Sequence, residues 1–148
     1  MRNFVLLIFF VCLMAGCSGI PKNITASTVS QPQGIVVMES KEYPLVINQF
    51  EWKEANSETK KLGGPSVYEL AERFETIEAE KGAILKLQLE KNPYSIEIKQ
   101  EDEKGSISEV QLTENEITLP LEKGYFIYEI TAEWNEGTVS YIFDVNVN

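Results

Sequence analysis

From about residue 35 onward, apolar and polar side chains alternate at every second position, the period of a β-strand with one buried face. The pattern is cleanest at the end of the chain. In residues 125–134 (YFIYEITAEW), Phe126, Tyr128, Ile130, Ala132 and Trp134 share one face, opposite Glu129, Thr131 and Glu133. In residues 138–147 (TVSYIFDVNV), Val139, Tyr141, Phe143, Val145 and Val147 do the same, opposite Ser140, Asp144 and Asn146. Between them Asn135-Glu136-Gly137 reads as a short hairpin loop with Gly137 at a left-handed position. Residues 83–89 alternate with Leu85, Leu87 and Leu89 inward, and residues 94–100 with Tyr94, Ile96 and Ile98 inward. Shorter strands are predicted at 34–38, 43–52, 107–112 and 116–120, with Pro44 marking a strand start or an edge. About seven short strands, each with one apolar face, predict an all-β antiparallel sandwich of two packed sheets. A closed barrel is the alternative and needs a similar pattern.

One segment breaks the rhythm. In residues 63–82, Val67, Leu70, Ala71 and Phe74 recur at helical spacing, Pro65 stands near the start and Ser66 is a candidate cap. This predicts a short helical insertion at 66–74, followed by a short strand in FETIEA, residues 74–79. Because loops at the end of a sandwich collect binding residues, Tyr68, Glu69 and Arg73 are the candidate contact surface. The competing role for this segment is a cap over the open end of the core.

The beginning of the chain follows a different logic. Arg2 precedes an uncharged apolar run, residues 4–15, about a dozen long. A membrane-spanning helix needs roughly 20 residues, whereas a basic residue, a short apolar core and small residues before a cleavage point describe a secretory signal peptide. The predicted organisation is a signal at 1–16, Cys17 with a flexible tether at 17–34, and the sandwich domain at 35–148. Residues 18–33 (SGIPKNITASTVSQPQ) carry too little apolar surface to fold. Counted to residue 41, about 24 residues of coil have a mean span of roughly 25–30 Å.

Composition narrows the chemistry. The 148 residues carry 13 basic and 23 acidic side chains and no histidine. Cleavage before Cys17 leaves 12 basic and 23 acidic side chains, a net charge of −11. Such a chain does not bind nucleic acid by neutralising phosphates and is repelled by an anionic lipid surface. Cys12 lies in the discarded run, so Cys17 is the one cysteine kept and no internal disulfide forms. Without histidine there is no Ser-His-Asp or Cys-His arrangement and no imidazole for zinc or copper. No carboxylate pair stands out for glycoside hydrolysis, so no catalytic residue, metal site or cofactor is expected. Residues 100–105 gather Glu101, Asp102 and Glu103 before Gly105, but without the spacing of a helix-loop-helix calcium loop. That stretch reads as a charged turn. Trp52, Trp134, Tyr125, Tyr128, Tyr141 and Phe143 are numerous enough for a carbohydrate-stacking platform, yet most lie on apolar strand faces, where core packing is their normal use.

Met14-Ala15-Gly16-Cys17 resembles the lipobox of bacterial lipoproteins, with Met14 where leucine is usual and Leu13 one step back. The resemblance implies diacylation of Cys17, often with N-acylation. Two chains hold firmly where one, at roughly 0.8 kcal/mol per buried CH₂, binds only marginally. The remainder is similar to small acidic lipoproteins of Bacillus-type bacteria. The similarity runs over Tyr68 to Glu75, Glu80 to Gly82, Asn92-Pro93, Ile117 to Pro120 and Gly124 to Val147. Gly124-Tyr125 before a long strand is similar to the tyrosine corner of immunoglobulin-like domains, though their disulfide and its tryptophan partner are missing. These resemblances imply a lipid-anchored immunoglobulin-like module on the extracytoplasmic face of the cell membrane. Its expected partners are the bilayer through Cys17, and an envelope protein or cell-wall component. The alternatives are an inhibitor or regulator of an exported enzyme, and a binder of calcium or another small ligand.

Overall fold

A computed structural model describes residues 30–54 and 57–148. Two β-sheets face each other across one core. The smaller has the order β2-β1-β6-β9, from Gly34–Met38 (β1), Lys41–Pro44 (β2), Ile84–Leu89 (β6) and Glu116–Thr118 (β9). The larger has the order β4-β3-β11-β10-β7-β8. Its strands are Val46–Glu54 (β3), Ser57–Lys61 (β4), Ser95–Asp102 (β7), Ile107–Glu109 (β8), Gly124–Trp134 (β10) and Gly137–Val147 (β11). A further short strand, Ile77–Ala79 (β5), lies parallel to the end of β11. The all-β sandwich is therefore as the alternation predicts.

The strand count is higher than the expected seven or so, at eleven among the described residues. Three differences account for it. Residues 43–52 are not one strand: the chain passes from the small sheet to the large one at Leu45, so β2 and β3 belong to different layers. β4 is the polar stretch SETKK, which has no apolar alternation to betray it. β5 is held by parallel pairing with Val145–Val147, just beyond the point where β3 leaves the same edge of β11.

The central pair is a continuous antiparallel ladder from Gly124↔Val147 to Trp134↔Gly137. The loop therefore has two residues, Asn135 and Glu136, and Gly137 opens the next strand at φ 155°. A Cβ on Gly137 would stand 1.9 Å from the Glu51 carbonyl oxygen, so only glycine lets β3 approach. Alternation places every expected inward residue of both strands in the core. Tyr128 and Phe143 stack at 4.6 Å with planes 7° apart, and Trp52 meets Trp134 edge-on at 5.5 Å. Leu85, Leu87, Ile117 and Val36 close the core from the small sheet. Each such side chain contributes roughly 1.5–3 kcal/mol on burial. Tyr94 departs from the expected inward set. It is 68% exposed and sits in the bend that precedes β7, where its N–H donates to the Glu133 carbonyl.

Ahead of β1 the described residues are already tied to the sandwich. The Tyr141 hydroxyl donates to the Pro32 carbonyl at 2.8 Å, and Gln33 exchanges two backbone-directed bonds with Glu90. Cys17 and the predicted signal lie outside the described residues, as does most of the predicted tether.

Candidate functional site

The outer face of the seven-stranded sheet is divided into a covered half and an open half. The covered half lies under the helix Val67–Ala71 (α1). Ser66 caps it: the Glu69 N–H donates to the Ser66 hydroxyl, and the Glu69 carboxylate accepts from the Ser66 N–H at 2.7 Å. That reciprocal pair is a capping box, and the bond from Ser66 holds the Glu69 carboxyl below its ordinary value. Leu70 and Ala71 then press on Ile127 and Ile142, with Val46, Val67 and Tyr125 around them. α1 thus covers the outside of a sheet with its own small apolar cluster, rather than capping the open end of the core.

Beneath the same segment sits Asp144, 1% exposed. Its Oδ2 accepts from the Tyr125 hydroxyl at 2.5 Å, while Oδ1 has no partner. Burial pushes the Asp144 carboxyl above its ordinary value, and the Tyr125 and Thr76 hydroxyls act in the opposite direction. Burial, with the help of Asp144, also pushes the Tyr125 hydroxyl up. Tyr125 therefore bonds a carboxylate on the neighbouring strand rather than the backbone, so the tyrosine corner suggested by Gly124-Tyr125 does not form.

The three candidate contact residues have separate fates. Tyr68 is 51% exposed and its hydroxyl donates to Glu101 on β7, which pushes the hydroxyl above its ordinary value. Glu69 is committed to the cap. Arg73 is exposed just past the helix, where its backbone N–H donates to the Leu70 carbonyl. The helix brings Tyr68 and Glu101 together, but it does not gather all three into one constellation.

The acidic turn has a structural job. Asp102 accepts from the backbone N–H groups of Lys104 (2.9 Å) and Ser106 (2.8 Å), which hold its carboxyl below the ordinary range. Among the described residues no three carboxylates converge as metal ligands would. Five of the six aromatics weighed for stacking, Trp52, Trp134, Tyr128, Tyr141 and Phe143, are buried in the core.

The open half of the outer face is what sequence reasoning missed. A groove of about 580 Å³ runs over it, within the usual 300–1,000 Å³ of ligand sites. Its floor is Gln49, Glu129, Thr131, Thr138 and Ser140, and its walls are the 135–137 turn and the segment from Glu58 to Leu62. A β-bulge builds the floor. The β3–β11 register shifts between Val139 and Tyr141, so Asn48 and Gln49 both stand opposite Ser140. The Gln49 N–H donates to the Ser140 hydroxyl at 3.2 Å, and the buried Asn48 amide donates to Glu129 Oε1 at 3.2 Å. Glu129 is thereby held on a central strand with its carboxylate facing the groove. The clue in the sequence is small: Asn48 and Gln49 interrupt the alternation of β3, and the outward positions of β10 and β11 nearest the 135–137 turn are polar. No protein-family model, no curated protein and no solved structure matches the chain, so what this face does must be read from its own side chains.

Proposed function

We propose that this protein is an envelope lipoprotein. In this reading it is held on the extracytoplasmic face of the cell membrane by acyl chains on Cys17, and its immunoglobulin-like sandwich acts as a binding or accessory module. The observation that carries the reading is the order of segments in the sequence: a charged start, a dozen apolar residues, Met14-Ala15-Gly16-Cys17, then a polar stretch ahead of the first sandwich strand at Gly34. An excess of carboxylates opposes contact with anionic lipid and wall polymers. A 580 Å³ groove with a fixed polar floor, in a chain without histidine, favours binding over catalysis. The proposed partners are an envelope protein or a cell-wall component.

The test is Cys17→Ala. The parent protein is expected in the membrane fraction with a mass raised by its acyl chains, and the variant is expected to be released or to keep its signal. Unchanged mass and unchanged fractionation would refute anchoring. A second reading, an inhibitor or regulator of an exported enzyme, is favoured by the exposure of Leu62 and Tyr68 on the strap that carries α1. A photocrosslinker at Tyr68 that yields no specific adduct in intact cells would count against it.

A further inference from the structure

Taking the display reading as its basis, the groove can be assigned an occupant. Two depressions on the outer face of the large sheet meet at Glu129: the 580 Å³ groove, and a much smaller one of about 40 Å³ formed with Val67, Lys99, Glu101, Ile107 and Ile127. Together they cross the sheet from the β4 side to β8. Five strand spacings of about 4.8 Å make roughly 24 Å, the length of about seven extended residues.

The ends of this strip are apolar and its middle is anionic. Leu62 stands 66% exposed at one end and Ile107, 65% exposed, at the other, where the Tyr68 hydroxyl reaches Glu101, the strand partner of Ile107. Along the strip lie the carboxylates of Glu51, Glu58, Glu129, Glu136 and Glu101. Three lysines stand in or beside the strip: Lys53 in the groove lining, Lys60 2.9 Å from Glu51 and 2.8 Å from Glu58, and Lys99, across the strand pair from Glu129 and 2.9 Å from Glu97, so five carboxylates outnumber three cations. An anionic ligand is repelled by this set. A saccharide would find no open aromatic ring on the groove floor, since Trp134 is buried. A peptide supplies both the charge and the apolar ends.

We infer that this strip takes an extended polypeptide segment of a partner protein, with a lysine or arginine side chain on Glu129 and apolar side chains against Leu62 and the Tyr68–Ile107 pair. Asn48 pre-orients the acceptor, since its amide fixes one carboxylate oxygen and leaves the other for the cation. The complementarity acts through position as well as net charge, and this is what separates it from the general attraction of an acidic protein for basic chains.

The experiment selects from a displayed nonapeptide library against the full chain in detergent micelles. Enriched peptides are expected to carry Lys or Arg near the centre with an apolar residue two or three positions away. A fluorescein-labelled winner, followed by anisotropy, is expected to weaken at least tenfold with Glu129→Gln, which keeps the acceptor for Asn48. It is expected to weaken similarly with Thr138→Arg, which fills the groove, and several-fold with Leu62→Ser. Glu116→Gln, on the outside of the small sheet, is expected to leave it unchanged. Equal losses with Glu116→Gln and Glu129→Gln would reduce the effect to net charge and overturn the proposal. So would enrichment of acidic or uncharged peptides, no enrichment at all, or displacement of the winner by N-acetylglucosamine oligomers. Membrane fractionation of Cys17→Ala is independent of all these readouts, so failure of the anchoring proposal and failure of this one are distinguishable.

Discussion

Asp144→Asn is expected to raise the stability of the protein at neutral pH and to leave it nearly unchanged in acid. The carboxylate is 1% exposed, one oxygen accepts from Tyr125 and the other has no partner. Leaving a buried polar group unsatisfied costs about 1–3 kcal/mol, and more when it is charged. Asparagine keeps an oxygen for the Tyr125 hydroxyl and removes the charge, but it puts an amide where Oδ1 stood and so recovers only part of that cost. The net gain expected at pH 7.5 is roughly 1 kcal/mol, or about 4 °C in Tm for a domain of this size. The pH dependence follows from the direction of the shift. Burial raises the folded-state pKa of Asp144 above the ordinary 3.8, so the native state binds this proton more tightly than the unfolded chain. Its contribution is fully present below about 3.8 and is lost as pH rises through the folded value.

Melts followed by circular dichroism at pH 4, 5, 6 and 7.5 should therefore show a gap between Asp144→Asn and the parent that opens as pH rises. Tyr125→Phe supplies the complementary measurement. In the parent it removes the 2.5 Å donor from a buried carboxylate, leaving the Thr76 hydroxyl as its other stabilising neighbour, and should cost about 1.5–3 kcal/mol at pH 7.5. In the Asp144→Asn background the same change removes a neutral bond, worth about 1 kcal/mol. The difference is the coupling energy of the pair. A loss of Tm in Asp144→Asn that is equal at every pH would refute the reasoning, since it would mean that Oδ1 is satisfied and the charge is at home.

Gly137→Ala should cost roughly 2–5 kcal/mol, combining a strained backbone with a Cβ driven into the Glu51 carbonyl; a denaturant midpoint within error of the parent would contradict it. Ser66→Ala removes one half of the capping box and should cost about 1 kcal/mol. The loss should be largest above the ordinary carboxylate range and should shrink as Glu69 protonates in acid, because its folded pKa is depressed and its contribution disappears as pH falls through that value. Tyr141→Phe frees the Pro32 carbonyl and should cost about 1 kcal/mol, with faster amide exchange at Gln33 and Gly34 as the local readout.

Where one face of a strand is dry and the other wet, the sequence states the structure. The ladder of β10 and β11 could be drawn in advance because Phe126 to Trp134 and Val139 to Val147 alternate without a break and each set is buried. The same logic fails where pairing, not burial, makes the strand. β4 is polar throughout and exists because β3 has a free edge. β5 is three residues long and exists because β3 leaves β11 at Ile142, so the last residues of β11 need another neighbour. Tyr94 departs for the opposite reason: the periodicity extends one residue beyond the strand, which begins at Ser95.

The site was harder to see, because a sandwich has two kinds of face and the pattern of one strand cannot say what covers the outer one. Val67, Leu70 and Ala71 announced a helix with an apolar side, but not that the side would lie on Ile127 and Ile142, which are themselves outward residues of β10 and β11. Those two isoleucines were the signal that was available: apolar residues at wet positions of adjacent strands imply a cover. Asp144 lies two residues beyond Ile142 on the same face and is buried by the same segment. From Glu129 on β10 and Ser140 on β11 toward the 135–137 turn, the outward residues are polar and the cover is missing. The boundary between a stabilising patch and a binding groove on this sheet is thus set by how far one short helix reaches. That is a tertiary fact, visible in the sequence only as the point where outward isoleucine gives way to glutamate, threonine and serine.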